Sequence, residues 1–84
     1  MDNLTVTLAE DKFCQYQKGM LGSFFTYLIK AMMHADIGNL NRLKNAFPEL
    51  AEVVERFQNE AGYWQDLEKR WNNGQGITVL PNNI

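Results

Sequence analysis

The sequence predicts an all-α fold, a small bundle of three to five helices with a short irregular C-terminal tail. Three observations carry that prediction. Apolar residues recur at helical spacing from Leu8 to Trp71, helix-start signals stand at Thr7, Asp36 and Pro48, and the pattern stops at Asn72, where Asn, Gly and Pro take over. Period and punctuation agree, which is the main sequence-level evidence for helices. Residues 1–72 therefore form one helical domain, and residues 73–84 an extended or flexible tail.

The first helix opens at Thr7-Leu8-Ala9-Glu10. This is a capping box, in which the threonine oxygen accepts from a backbone N–H and the glutamate reaches back to the cap. The helix runs through Phe13 and Tyr16 towards Lys18. Gly19 and Gly22 follow, each costing about 1 kcal/mol inside a helix relative to alanine, and a break is expected near Gly19.

Leu21, Phe24, Phe25, Leu28, Ile29, Met32 and Met33 then keep one face through three turns, with Tyr27 and Ala31 widening the arc. So wide an apolar arc implies burial on more than one side. Residues 21–35 are accordingly expected as a central helix sandwiched by its neighbours. Asp36 caps a third helix, whose inward stripe is Leu40, Leu43 and Phe47.

Phe47-Pro48-Glu49 closes that helix and opens the next. The residue before proline is pushed out of the α region, while proline suits the first helical position. From there Leu50, Val53, Val54, Phe57, Ala61, Trp64, Leu67 and Trp71 hold a register near 3.5. Either one helix spans 48–72 or two meet near Glu60-Ala61-Gly62; the unbroken register favours continuity with a weak point at Gly62. In the tail, the apolar piece Ile77-Thr78-Val79-Leu80 pairs as a strand, docks as an arm or stays mobile.

Eighty-four residues make one domain,, with a radius of gyration of roughly 12 Å. A chain this short buries a modest share of its surface. With 45 % apolar residues and ten aromatic rings, a surplus left outside would invite a partner, so self-association is expected. The net charge of −2 is spread evenly, at −1, 0 and −1 over residues 1–36, 37–56 and 57–84. No basic face emerges of the kind that releases phosphate counterions, which argues against nucleic acid.

Cys14 is the single cysteine, too few for an internal disulfide or a cysteine-rich metal site. No secretory signal is expected, since Asp2, Glu10 and Asp11 lie where a basic flank and an apolar run would be needed,. The longest apolar stretch, Met20 to Met33, is interrupted by Ser23, Thr26 and Lys30 and would reach only about 20 Å as a helix, against ~30 Å of bilayer core. No membrane association and a cytoplasmic location are expected.

No catalytic, metal or cofactor set stands out, and the chain is expected not to be an enzyme. His34 and Asp36 form a tight His/acid pair, but a structural zinc needs about four ligands. Glu49, Glu52 and Glu55 step along one helix surface, and Glu52–Arg56 and Asp66–Arg70 are spaced as solvated i,i+4 pairs,. Cys14 with His34 lacks a third, orienting group. No helix follows Gly74-Gln75-Gly76 to bind an anion,.

What remains is aromatic. Trp64 and Trp71 share a helix face, with Tyr63 and Arg70 beside them. Trp, Tyr and Arg are the residues enriched at binding hot spots. Trp64 fits the core; Trp71 fits core and interface equally. Tyr63, Arg70 and Trp71 are thus the candidate interface residues.

Ala35-Asp36, Asn41, Leu43, Phe47-Pro48-Glu49, Val53, Phe57, Glu60 and Gly62-Tyr63-Trp64 together resemble small uncharacterised helical proteins of phage and prophage genes, over residues 24–68. The resemblance rests mostly on the Phe-Pro-Glu and Gly-Tyr-Trp triplets and brings no functional residues with it. It implies a phage-derived accessory or inhibitory protein. The expected function is a non-catalytic protein–protein interaction module that forms a homo-oligomer. The alternative is a DNA-associated regulator, a small helical dimer.

Overall fold

A computed structural model describes residues 6–73 and the backbone of 79–80. Five helices follow one another among these residues: α1 (Leu8–Gln17), α2 (Ser23–His34), α3 (Ile37–Ala46), α4 (Pro48–Asn59) and α5 (Tyr63–Asn73). Two short strands, β1 (Val6–Thr7) and β2 (Val79–Leu80), pair in parallel, Val6 opposite Val79 and Thr7 opposite Leu80. The all-α bundle read from the sequence is the fold observed. Its radius of gyration is 12.5 Å.

The local signals act where they were read. Glu10 N–H donates to Thr7 Oγ1 (3.0 Å) and Thr7 N–H to Glu10 Oε1 (2.9 Å), completing the capping box. At the far end of α1, Gly19 adopts φ +72°. Met20 N–H then reaches Gln15 O (2.8 Å) and Gly19 N–H reaches Tyr16 O (3.1 Å). This is a Schellman closure, and glycine takes its left-handed position without a Cβ penalty. Asp36 accepts from Asn39 N–H at 2.8 Å to start α3, and Pro48 occupies the first turn of α4.

Two expectations are corrected. The first is the single helix over 48–72, which is two helices. Glu60 leaves α4 in an extended conformation, Gly62 turns at φ +84°, and α5 starts at Tyr63. The apolar register survived because both helices turn their faces to one core. The second concerns α2, which is not sandwiched: only Ile29 and Met32 are fully buried on it. The helix in the middle is α4, which packs against α1, α2, α3 and α5. In the tail, strand pairing, one of the outcomes expected for residues 77–80, is the one found at Val79–Leu80. Asn73 belongs to α5, while 74–78 and 81–84 lie outside the described residues.

The core is the space around α4. Phe13, Ile29, Met32, Leu50, Val54 and Leu67 are its largest fully buried side chains, with Cys14 among them. Phe13 is the aromatic hub, its ring centroid 5.0 Å from Phe57, 5.9 Å from Trp64 and 6.0 Å from Tyr16. Tilted and edge-on pairs of this kind add to simple area burial. Leu40, Leu43 and Phe47 turn inward as expected and pack on the edge of this core.

Candidate functional site

Tyr63, Arg70 and Trp71 do come together, but as an internal seam between α5 and α1. Tyr63 is 2 % exposed and Trp71 8 %. Tyr63 Oη donates to Glu10 Oε2 (2.7 Å), Arg70 Nη2 lies 3.2 Å from the same oxygen, and Trp71 Nε1 donates to Asp11 Oδ1 (2.8 Å). Arg70 Nε also reaches Asp66 (2.9 Å), and Lys18 pairs with Glu68 (2.7 Å) further along the seam. Reading these three residues as an outward contact surface is therefore corrected: their partner is helix α1 of the same chain. Each polar tip finds a carboxylate, which is the condition for burying a Tyr or Trp cheaply.

The electrostatics suit a clamp. Burial pushes the Glu10 carboxyl up, but Arg70, the Thr7 N–H and the Tyr63 hydroxyl outweigh it and hold the group below the ordinary 4.5. Burial and the bond to Glu10 raise the Tyr63 phenol well above its ordinary range, so it stays a neutral donor. Arg56 stacks over the Tyr63 ring at 4.1 Å and forks onto Glu60 through Nε (3.0 Å) and Nη2 (3.1 Å). Glu10 is a carboxylate at neutral pH, and both its oxygens accept hydrogen bonds. As arranged, the cluster orders two helices and has no acceptor left over for proton transfer.

Cys14 lies within the core, and burial together with Asp11 and Glu10 pushes its thiol up to about 12. Such a thiol carries almost no thiolate and is a poor nucleophile. Among the described residues, no group of three His, Cys, Asp or Glu side chains is placed to hold a metal ion, and no helix is long and apolar enough to cross a membrane. Open depressions among the described residues include one beside Glu52, Glu55, Arg56 and Asn59, one between Tyr16, Leu21, Thr26 and Lys30, and one at the α4–α5 elbow beside Phe57, Gly62 and Trp64. None encloses a small molecule as a ligand pocket does.

The apolar surplus emerges elsewhere. Met20, Phe24, Tyr27 and Ile37 are 63 %, 61 %, 68 % and 79 % exposed. Phe24 and Tyr27 lie on α2, and together with the exposed Ala31 and His34 they follow the i, i+3, i+7, i+10 positions of one helix face. Met20 and Ile37 stand just before and just after the helix in the chain. The Phe24 ring is braced, edge-on to Phe25 at 5.0 Å and 6.2 Å from Phe47. Lys30 lies 6.0 Å from the Tyr27 ring on the same open face. Phe24, Tyr27 and Ala31 belong to the apolar arc that the sequence predicts to be buried, and they are exposed. The signal that would have found them is an apolar arc wider than one 12-residue helix can bury in a chain of this length.

The chain matches no family model, no curated protein and no solved structure, so its own geometry is the basis for a functional reading.

Proposed function

We propose that this chain is a non-catalytic protein–protein interaction module whose contact surface is the open face of α2. The observation that carries the reading is the exposure of Phe24 and Tyr27 on one helix face. Large aromatics are the side chains that supply most of the energy at binding surfaces, and a contiguous exposed apolar patch on a small protein marks an interaction site more often than a random surface. A helix face read at i, i+3 and i+7 is also how amphipathic helices meet grooves and one another. A phage-type accessory or inhibitory role, which the Phe-Pro-Glu and Gly-Tyr-Trp pattern suggests, would act by occupying a partner's surface in this way. A cytoplasmic setting fits the lone buried thiol of Cys14.

The DNA-associated alternative has less support. Lys18, Lys44, Arg56 and Arg70 are each held by a carboxylate of the same chain, and the exposed side of α4 presents Glu52. Phosphates would have to compete with those carboxylates at each position.

The test is photo-crosslinking in the native cell. A benzophenone amino acid replaces Phe24 or Tyr27, and Glu52 on exposed α4 serves as control. Adducts formed at 24 and 27 but not at 52, whether to a second copy or to another protein, are the expected result. Adduct yields at 24 and 27 no higher than at 52 would sink the reading.

A further inference from the structure

We infer that the occupant of the α2 face is a second copy of this chain, the two α2 helices packing antiparallel about a two-fold axis through their midpoints. This rests on the interaction reading above and names its partner. The register follows from the helix itself. With the axis midway along Ser23–His34, Tyr27 of each copy stands level with Lys30 of the other, and Phe24 with Met33. The ammonium of Lys30 is then presented to the negative face of the partner's Tyr27 ring, a cation–π pairing that the two-fold repeats. Within one copy the same two groups lie 6.0 Å apart, at the outer limit of that interaction, which leaves the lysine available to the neighbour's ring.

No Asp or Glu occurs from Lys12 through Ala35, so α2 brings no carboxylate to be desolvated opposite an aromatic ring. Antiparallel pairing also sets each helix dipole against the opposite end of the other.

The area bears on the kind of contact. An aromatic side chain offers about 150–250 Å², so Phe24 at 61 % and Tyr27 at 68 % exposure present on the order of 100–150 Å² each. Met20 contributes a comparable amount, and Ser23, Lys30, Ala31 and His34 complete the face. The sum is roughly 500–600 Å² per copy, the low end of specific interfaces. Such a surface fits a weak, reversible dimer. Phe24 is already braced by Phe25 and Phe47, so little side-chain freedom is lost when it is covered.

Sedimentation equilibrium of the full chain from roughly 1 µM to 1 mM tests this directly. Wild type should pass from monomer to dimer across that range. Tyr27→Ala should raise the dissociation constant at least about tenfold, as expected for an aromatic anchor. Lys30→Met, which keeps the stem and removes the cation, should raise it about two- to fivefold. Glu52→Ala should leave it unchanged. Melting curves at low concentration, where all variants are monomers, establish that each is folded; Phe24→Ser serves as a second disruptor if Tyr27→Ala melts early.

Two results overturn the inference: a wild type monomeric at every concentration, or a dimer indifferent to both Tyr27→Ala and Phe24→Ser. They bear differently on the underlying reading. A monomer that still crosslinks through position 24 to another protein keeps the interaction surface and replaces its occupant. A monomer with no crosslinks at 24 and 27 removes both.

Discussion

Replacing Glu10 by glutamine tests whether the α1–α5 seam holds the bundle together. The substitution keeps size and shape but deletes the charge that receives Thr7 N–H, Tyr63 Oη and the Arg70 guanidinium. Breaking a buried ion pair by removing one partner costs about 3–5 kcal/mol. Arg70 keeps Asp66 at 2.9 Å, so its charge is not orphaned and the loss should fall somewhat lower, at about 2–4 kcal/mol. For a domain of this size, where total stability is roughly 4–13 kcal/mol, that is a large fraction. It corresponds to a fall in Tm of about 10–25 °C, read by circular dichroism melts at pH 7. The pH dependence supplies an independent check. The folded-state pKa of Glu10 is depressed below 4.5, so its contribution is fully present above the ordinary carboxylate value and is lost as pH falls through the lowered one. Glutamine mimics the protonated side chain, so the gap between wild type and Glu10→Gln should close on acidification. Other carboxylates titrate in both proteins and cancel in the difference. A variant melting within about 3 °C of wild type at pH 7, or a gap unchanged in acid, would refute the view of Glu10 as the clamp.

Phe13→Ala removes the ring on which Tyr16, Phe57 and Trp64 converge and should cost about 3–5 kcal/mol; denaturant titration measures it, and a loss below about 1 kcal/mol would mean the hub can repack. Gly62→Ala places a side chain at φ +84° with open space around its Cβ, so only backbone strain of about 1–2 kcal/mol should appear, as a lower Tm with unchanged helical content. Cys14 should resist Ellman's reagent in the folded protein at pH 8, because its thiol is buried and pushed up to about 12, and should react on unfolding; rapid labelling of the native chain would contradict that burial.

What the sequence revealed about the fold was what is decided within one turn of chain. The Thr7–Glu10 box, the Asp36 cap, Pro48 and the break at Gly19 each depend on residues no more than five apart, and each is found as read. The elbow at Gly62 stood second to a continuous helix because periodicity reports which side chains face the core, and two helices meeting at an angle over one core keep the same period. The candidate site was misassigned for a related reason. Tyr63, Arg70 and Trp71 were identified by type as contact residues, and they do make contacts. Their partners, Glu10 and Asp11, are 53 to 60 residues away in the chain, and nothing in a single sequence links positions so far apart.

The same chemistry explains why the aromatic surplus is left on α2 and not on α5. A buried Trp or Tyr must satisfy its N–H or O–H, and α1 supplies carboxylates at adjacent positions, Glu10 and Asp11, that meet Tyr63 and Trp71. α5 can therefore be drawn fully into the fold. α2 packs its Ile29 and Met32 inward, and the other buried core positions among the described residues are filled from β1, α1, α4 and α5. Tyr27 on the outer face is then served by water. Phe24 gains nothing from water, because a phenyl ring has no polar tip to solvate. Its place outside, braced by two other rings, is not explained by burial alone, and the proposed interface would explain it: the ring would gain stability when another surface covers it,.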